Sequence, residues 1–156
     1  MDKINTLKDK KTIVFGERDD ISGNSVSTCL RAASATVIYE ATACFVWTAA
    51  GAVSLTEQDA VKKLADEHGK ENLLIVFGIN QIPTLRIMAQ TFNRGDPSFS
   101  GALAGIELGI LSYHIFEIKN LIPADVWEKE MAMHELELEE ESQQAICQTM
   151  AKIRQG

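Results

Sequence analysis

Cys44 and Trp47 stand three residues apart inside the stretch Ala41-Thr42-Ala43-Cys44-Phe45-Val46-Trp47-Thr48-Ala49-Ala50-Gly51-Ala52-Val53. A thiol with a second chalcogen at that distance is the frame of a redox motif. The two-residue gap lets the pair close a ring and lowers the attacking thiol's pKa. Here an indole occupies the second position. It cannot ionise to a nucleophile, and it cannot close a bond to sulfur. Cys44 alone leaves two readings open, a reactive thiolate or a small buried hydrophobe, which is what most free cysteines are. Trp47 reads as a bulky aromatic among alanines and a glycine, of the kind that anchors a partner.

The other residues capable of chemistry are scattered. Cys29 falls on an apolar helical face and Cys147 beside another, so both read as inert. His68, His114 and His134 share no metal-ligand spacing with each other or with the cysteines, and no metal site is expected. Gly16-Glu17-Arg18-Asp19 lacks the glycines of a dinucleotide-binding turn, and no Walker motif occurs. Glu17, Asp19 and Asp20 would also repel a phosphate. Three cysteines are too few for a disulfide scaffold.

Charge narrows the partners. A formal charge of −7 argues against nucleic acid and against an anionic membrane surface, since both need a basic face. No uninterrupted apolar stretch reaches the length of a membrane span. Met1 to Lys11 is polar and lysine-rich without an apolar signal region, so the expectation is a cytoplasmic protein. Glu128, Glu130, Glu135, Glu137, Glu139, Glu140 and Glu141 gather acid towards the C-terminus, the composition of a solvated face.

The elements that must position these residues follow from periodicity. Lys11–Gly16, Thr36–Tyr39, Leu73–Gly78 and Tyr113–Ile118 are apolar runs that predict four strands. Between them, Val26, Cys29, Leu30 and Ala33 predict one helix, capped by Ser22 or Asn24. Ala60, Val61, Leu64, Ala65 and His68 predict a second, starting near Thr56 and stopped by Gly69. Leu85, Met88, Ala89 and Phe92 predict a third, with Pro83 in its first turn and Gly95 at its end. Ala102–Ile110 predicts a short helix with Gly101, Gly105 and Gly109 along one face. A long C-terminal helix after Pro123, bending or breaking near Ser142, completes the chain.

Strands alternating with helices predict an α/β fold: a small, about four-stranded parallel sheet between helical layers, flavodoxin- or Rossmann-like. At 156 residues the expectation is one domain spanning residues 1–156. Sites in such sheets lie beyond the carboxyl ends of the strands. That edge is expected to gather 16–20, 41–53, 78–81 and part of the loop 95–101, which gives Cys44 a suitable place.

At this point the residues carry a resemblance. Ala43-Cys44-Phe45-Val46 followed, after Trp47, by Thr48-Ala49-Ala50-Gly51-Ala52 resembles the active-site stretch of the selenoprotein A family, component A of the glycine/sarcosine/betaine reductase complex. The resemblance extends to Val14-Phe15-Gly16-Glu17-Arg18-Asp19 and to residues 95–109, and spans essentially the whole chain. In that family the position held here by Trp47 is selenocysteine, encoded by UGA.

The resemblance implies an oxidoreductase component that works only with components B and C and a thioredoxin system. It implies no bound cofactor, only selenium as selenocysteine. Position 47 would accept a carboxymethyl group from the substrate adduct on component B and pass it to component C, where acetyl phosphate forms. Cys44 would then close on the selenium and be reopened by thioredoxin. The catalytic residues are thus expected at Cys44 and at position 47, and the Trp47 form is expected to be inactive. Two other readings stay open, a non-catalytic binding module using Trp47 for recognition and a thiol-only redox protein using Cys44.

Overall fold

A strand of uninterrupted apolar residues is stable only when both of its faces are covered. In the computed structural model, which describes residues 4, 6–43 and 53–155, two such strands lie side by side at the sheet's centre. They are β1 (Lys11–Glu17) and β3 (Leu73–Phe77), flanked by β2 (Thr36–Ala43) and β4 (Leu111–His114). The order among the described residues is β2-β1-β3-β4, and every pairing is parallel. Register sets Phe15 beside Phe77, and Phe77 beside His114. The β1/β2 register shifts at the Thr12–Ile13 step, where β2 carries one extra residue, Ile38.

Helices α1 (Gly23–Ala32), α2 (Leu55–His68), α3 (Ile82–Arg94), α4 (Ala124–Glu137) and α5 (Glu140–Gln155) make the outer layers. Side chains of a strand alternate between faces, and the two cores follow that rule. Ile13, Phe15, Ile75 and Phe77 meet Val61 of α2, Leu85 and Phe92 of α3 and Met150 of α5. Val14, Leu74, Val76 and Tyr113 meet Val26 and Leu30 of α1 and Trp127 and Met131 of α4. Phe15 is the hub of the first core: its ring lies 5.3 Å from that of Phe92 and 6.0 Å from that of Phe77. Burying one such ring contributes about 1.5–3 kcal/mol. The three-layer α/β expectation therefore holds.

Most helix boundaries are local chemistry. Ser22 caps α1 by accepting from Ser25 N–H. Gly69 and Gly95, at φ +84° and +108°, end α2 and α3 in a backbone region that favours glycine. Gly16 is required for a different reason, since a Cβ there would collide with the backbone of Ser22 and Gly23. Among the described residues no helix is long and apolar enough to cross a membrane.

Five expectations are corrected. The second strand runs to Ala43 rather than Tyr39, so Ala41–Ala43 belong to the sheet and not to a turn. The cap of α2 is Ser54, two residues before Thr56. The fourth strand ends at His114, and Ile115–Leu121 is a 3-10 helix. Glu117 turns the chain there by folding back to accept from His114 N–H at 3.0 Å, and Arg154 holds it with two bonds of 2.9 and 2.6 Å.

Residues 101–110 form turns and irregular chain instead of a helix. Gly105 and Gly109 have φ of +70° and +64°, so their spacing serves reversals of direction. The C-terminal helical pattern breaks at Leu138 rather than near Ser142. Leu138 is extended, and the Gln143 amide donates to the carbonyls of Glu135 (3.1 Å) and Leu138 (3.0 Å), closing the end of α4 from the side of α5.

Candidate functional site

Cys44 and Trp47 lie outside the described residues, as does the rest of 44–52. What is described is how the chain is held on either side of them. Ala43, fully buried, is the last residue of β2 and stands in register with Glu17. Arg18 N–H donates to Ala43 O at 2.8 Å, and Gly23 N–H donates to Thr42 Oγ1 at 2.9 Å. The turn from β1 into α1 thus clamps the point of departure. On the return, Val53 is buried in the first core and Ser54 begins α2. The carbonyl of Val53 accepts from Gln58 Nε2 at 3.0 Å.

Gln58 also ties in the loop 95–101. Its amide nitrogen donates to Asp96 Oδ2 at 3.1 Å, and its amide oxygen accepts from Leu103 N–H at 3.1 Å. Asp96 is buried and fills both of its oxygens. Oδ1 accepts from Ser98 N–H (2.8 Å) and Ser98 Oγ–H (2.7 Å), while Oδ2 accepts from Ser100 N–H (3.0 Å) and Gly101 N–H (2.8 Å) besides Gln58. Burial opposes its charge, but the donors of Ser98, Gln58 and Gly101 win and hold the carboxyl well below the usual carboxylate range. At the tip of this loop Phe99 is 72% exposed. Its φ of +55° is a conformation uncommon for any residue but glycine.

A second region lies where the strand order reverses, between the carboxyl ends of β1 and β3, the usual place for a ligand in this topology. A cleft of about 370 Å³ there is lined by Glu17, Asp19, Asp20, Gln81, Pro83 and Thr84. Burial and the neighbouring Asp20 and Asp19 push the Glu17 carboxyl up. Burial likewise pushes Asp20 up, against a bond from Asn80 N–H. The lining repels phosphate, in keeping with the absence of a nucleotide fingerprint.

Asn80 passes from this cleft to the end of β4. Phe116 N–H donates to His114 Nδ1 at 3.1 Å, which leaves the proton on Nε2 to be donated to Asn80 Oδ1 at 2.9 Å. His114 is fully buried, and burial pushes its imidazole down to about 3, so it is a neutral, positioning group at neutral pH.

The remaining candidates are not brought together. Cys29, on α1, is fully buried, and burial pushes its thiol up to about 12. Cys147 on α5 is partly buried, and burial followed by the nearby Glu117 pushes it up to about 11. His68 reaches neither region; its Nδ1 lies 3.3 Å from Lys11 Nζ. Among the described residues no three His, Cys, Asp or Glu side chains are grouped to hold a metal ion.

Sequence reasoning missed Gln58 and the Asn80–His114 pair, whose contacts span 38 and 34 residues. The Asp96-x-Ser98-x-Ser100-Gly101 pattern was the one local signal available, because a buried aspartate followed by hydroxyl residues and glycine is how side-chain oxygens organise a turn.

Comparison with known proteins bears on the whole chain. Residues 7–154 match the family described as glycine reductase complex selenoprotein A. The chain is 43% identical over 135 residues to glycine/sarcosine/betaine reductase complex component A2 of Photobacterium profundum, covering 85% of this chain and 84% of that one. Identity is 40% over 151 residues, 96% of each chain, to component A of the same complex from Symbiobacterium thermophilum. It is 39% over 148 residues to component A1 from Peptoclostridium acidaminophilum, covering 94% of this chain and 92% of the relative. No solved structure matches the chain.

Proposed function

Because the chain belongs to the glycine reductase complex selenoprotein A family, we propose that it is the carrier component of a glycine, sarcosine or betaine reductase, with its reactive position at residue 47. The observation that carries this reading is the Cys44–Trp47 stretch set inside a match that runs from residue 7 to residue 154. In this reading Trp47 stands where the native protein has selenocysteine. A selenol ionises more readily than a thiol and is a stronger nucleophile towards carbon. Position 47 takes a carboxymethyl group from the substrate adduct on component B, releasing the amine. The Cys44 thiol then attacks the selenium, so that the Se–S bond forms as the Se–C bond breaks. The bonding pair leaves with the two-carbon unit, which is thereby reduced and passes, with loss of water, to component C as an acetyl thioester that yields acetyl phosphate. A thioredoxin-type reductant reopens the Se–S bond in the cytoplasm.

The clamps at Ala43 and Val53 support this reading, because a segment that must visit other active sites needs firm anchorage at both ends. No metal or bound organic cofactor enters the scheme. With tryptophan at position 47 there is no atom to accept the carboxymethyl group, so the present form is folded and inactive.

The test compares the chain as given with one carrying selenocysteine at position 47, each assayed with components B and C and a thioredoxin system. The selenocysteine form should gain the carboxymethyl mass on residue 47 and yield acetyl phosphate, and the Trp47 form neither. Turnover by the Trp47 form would overturn the reading. So would a natural protein whose intact mass carries tryptophan and no selenium.

A further inference from the structure

Basic residues are in the minority here, 15 against 22 acids, yet three of them converge on one small cleft between α3 and α5. The cleft, about 210 Å³, is lined by Arg86, Gln90 and Arg94 from α3 and by Thr149, Lys152 and Ile153 from α5. Arg86, Gln90 and Arg94 recur every four residues, which stacks them along one helical face. Ile153, buried, gives the cleft an apolar floor.

Among the described residues none of the three cations has an ion-pair partner, which is common for surface lysines and arginines, but these three face one cleft. Ion pairs among the described residues join Lys62 to Asp66, His68 to Glu67, Lys119 to Glu135 and Arg154 to Glu117. None reaches Arg86, Arg94 or Lys152. Helix dipoles account for two of them, since Arg94 and Lys152 lie in the last turns of α3 and α5, where positive charge is favoured. Arg86 stands in the N-terminal half of α3 and gains nothing from that field. Three like charges around one cavity repel each other unless an anion joins them.

We propose that this cleft binds a small phosphate-class oxyanion, either the free ion or the phosphate group of a small ester. Two guanidinium forks and an ammonium match the charge and the several oxygens of a phosphate better than those of a single carboxylate. The Gln90 amide can add a neutral donor. Thr149 contributes only lining, because its hydroxyl proton is already given to Ala145 O at 2.8 Å. The volume lies below the roughly 300–1,000 Å³ of pockets that enclose organic cofactors, which limits the guest to a small one. The site lies on α3 and α5, and none of its residues belongs to the stretch that carries the proposed transfer chemistry.

The test titrates the full chain with inorganic phosphate, methyl phosphate and succinate by calorimetry, with chloride holding ionic strength constant. Saturable binding of phosphate or its ester is expected, with succinate weaker. Tighter binding of the ester marks an esterified guest, and equal or weaker binding marks the free ion. Arg86→Gln and Lys152→Gln should each weaken binding about tenfold, the loss of one charge-assisted contact, and Arg86→Lys should recover part of it. Both side chains are exposed, so the variants should melt like the parent. No saturable phosphate binding, binding untouched by these substitutions, or succinate bound as tightly as phosphate would each overturn the proposal.

Discussion

Gln58 and Asp96, 38 residues apart in the chain, share a buried hydrogen bond of 3.1 Å that joins the first turn of α2 to the loop 95–101. The same glutamine holds Val53 O and Leu103 N–H, so one side chain ties together three separate stretches of backbone.

Replacing either partner should therefore strand buried groups. Gln58→Leu leaves Val53 O and Leu103 N–H without a partner and removes one donor from Asp96, a loss of about 2–3 kcal/mol in urea unfolding. Asp96→Ala should cost a similar amount by releasing the donors of Ser98, Ser100 and Gly101. The double variant should cost clearly less than the two losses added, because both remove the shared bond. Strict additivity would show that the two side chains act independently.

His114 gives the chain a pH dependence of known sign. Its folded-state value is pushed down to about 3 by burial, whereas an unfolded histidine titrates at ~6.5. Its contribution to stability is complete above the unfolded value and is lost as pH falls from there towards the folded one. Between pH 7.5 and 5 the parent should lose ~2 kcal/mol more than His114→Gln, which has no proton to gain. Parallel losses in the two proteins would contradict the assignment, as would a His114 imidazole that titrates above pH 5 by NMR.

Arg154 and Glu117 are both largely shielded, at 13% and 10% exposure. The guanidinium also donates to Ser112 O at 3.1 Å and lies 4.1 Å from the Tyr113 ring. Arg154→Met should cost about 3 kcal/mol by leaving the largely shielded Glu117 without a counter-charge. Adding Glu117→Gln should return part of that loss, and a second substitution that only deepened it would refute the argument.

Thiol labelling separates the three cysteines. Cys29 and Cys147, pushed up to about 12 and about 11, hold almost no thiolate at pH 7. Iodoacetamide on the native protein should modify Cys44 alone, and the other two only after unfolding. Labelling of Cys147 at the rate of Cys44 would contradict the inert reading of Cys147.

Strands, caps and stops were legible in the sequence where their causes lie within a few residues. Leu73–Gly78 announces a buried strand, observed over Leu73–Phe77; Ser22 or Asn24 announces a helix start, capped by Ser22; and Gly69 and Gly95 announce helix ends. Two of the errors arose where a distant side chain takes part, whereas the α2 cap at Ser54 was a local signal passed over. Tyr113–Ile118 has the pattern of a strand, but Glu117 folds back onto His114 and is fixed there by Arg154, 37 residues later. Gly101, Gly105 and Gly109 have helical spacing, yet the chain there is held open by Gln58 and by two positive φ angles. For the site, residue type and spacing alone raised Cys44 only to a candidate. The position of Trp47 became meaningful through likeness to a family, because no physical rule converts an indole into a selenol.

The central place of β1, with β2 on one side and β3 on the other, has a consequence for synthesis of the chain. A ribosome that terminated at codon 47 would release β1, α1 and β2 without Leu73–Phe77, and Phe15 would lack the rings of Phe77 and Phe92. That fragment would present a bare apolar strand edge, the kind of surface that aggregates or is degraded. Under the proposed reading of position 47 as a recoded stop codon, whether a folded product exists at all is decided by translation continuing past that codon, before the identity of the amino acid placed there can matter.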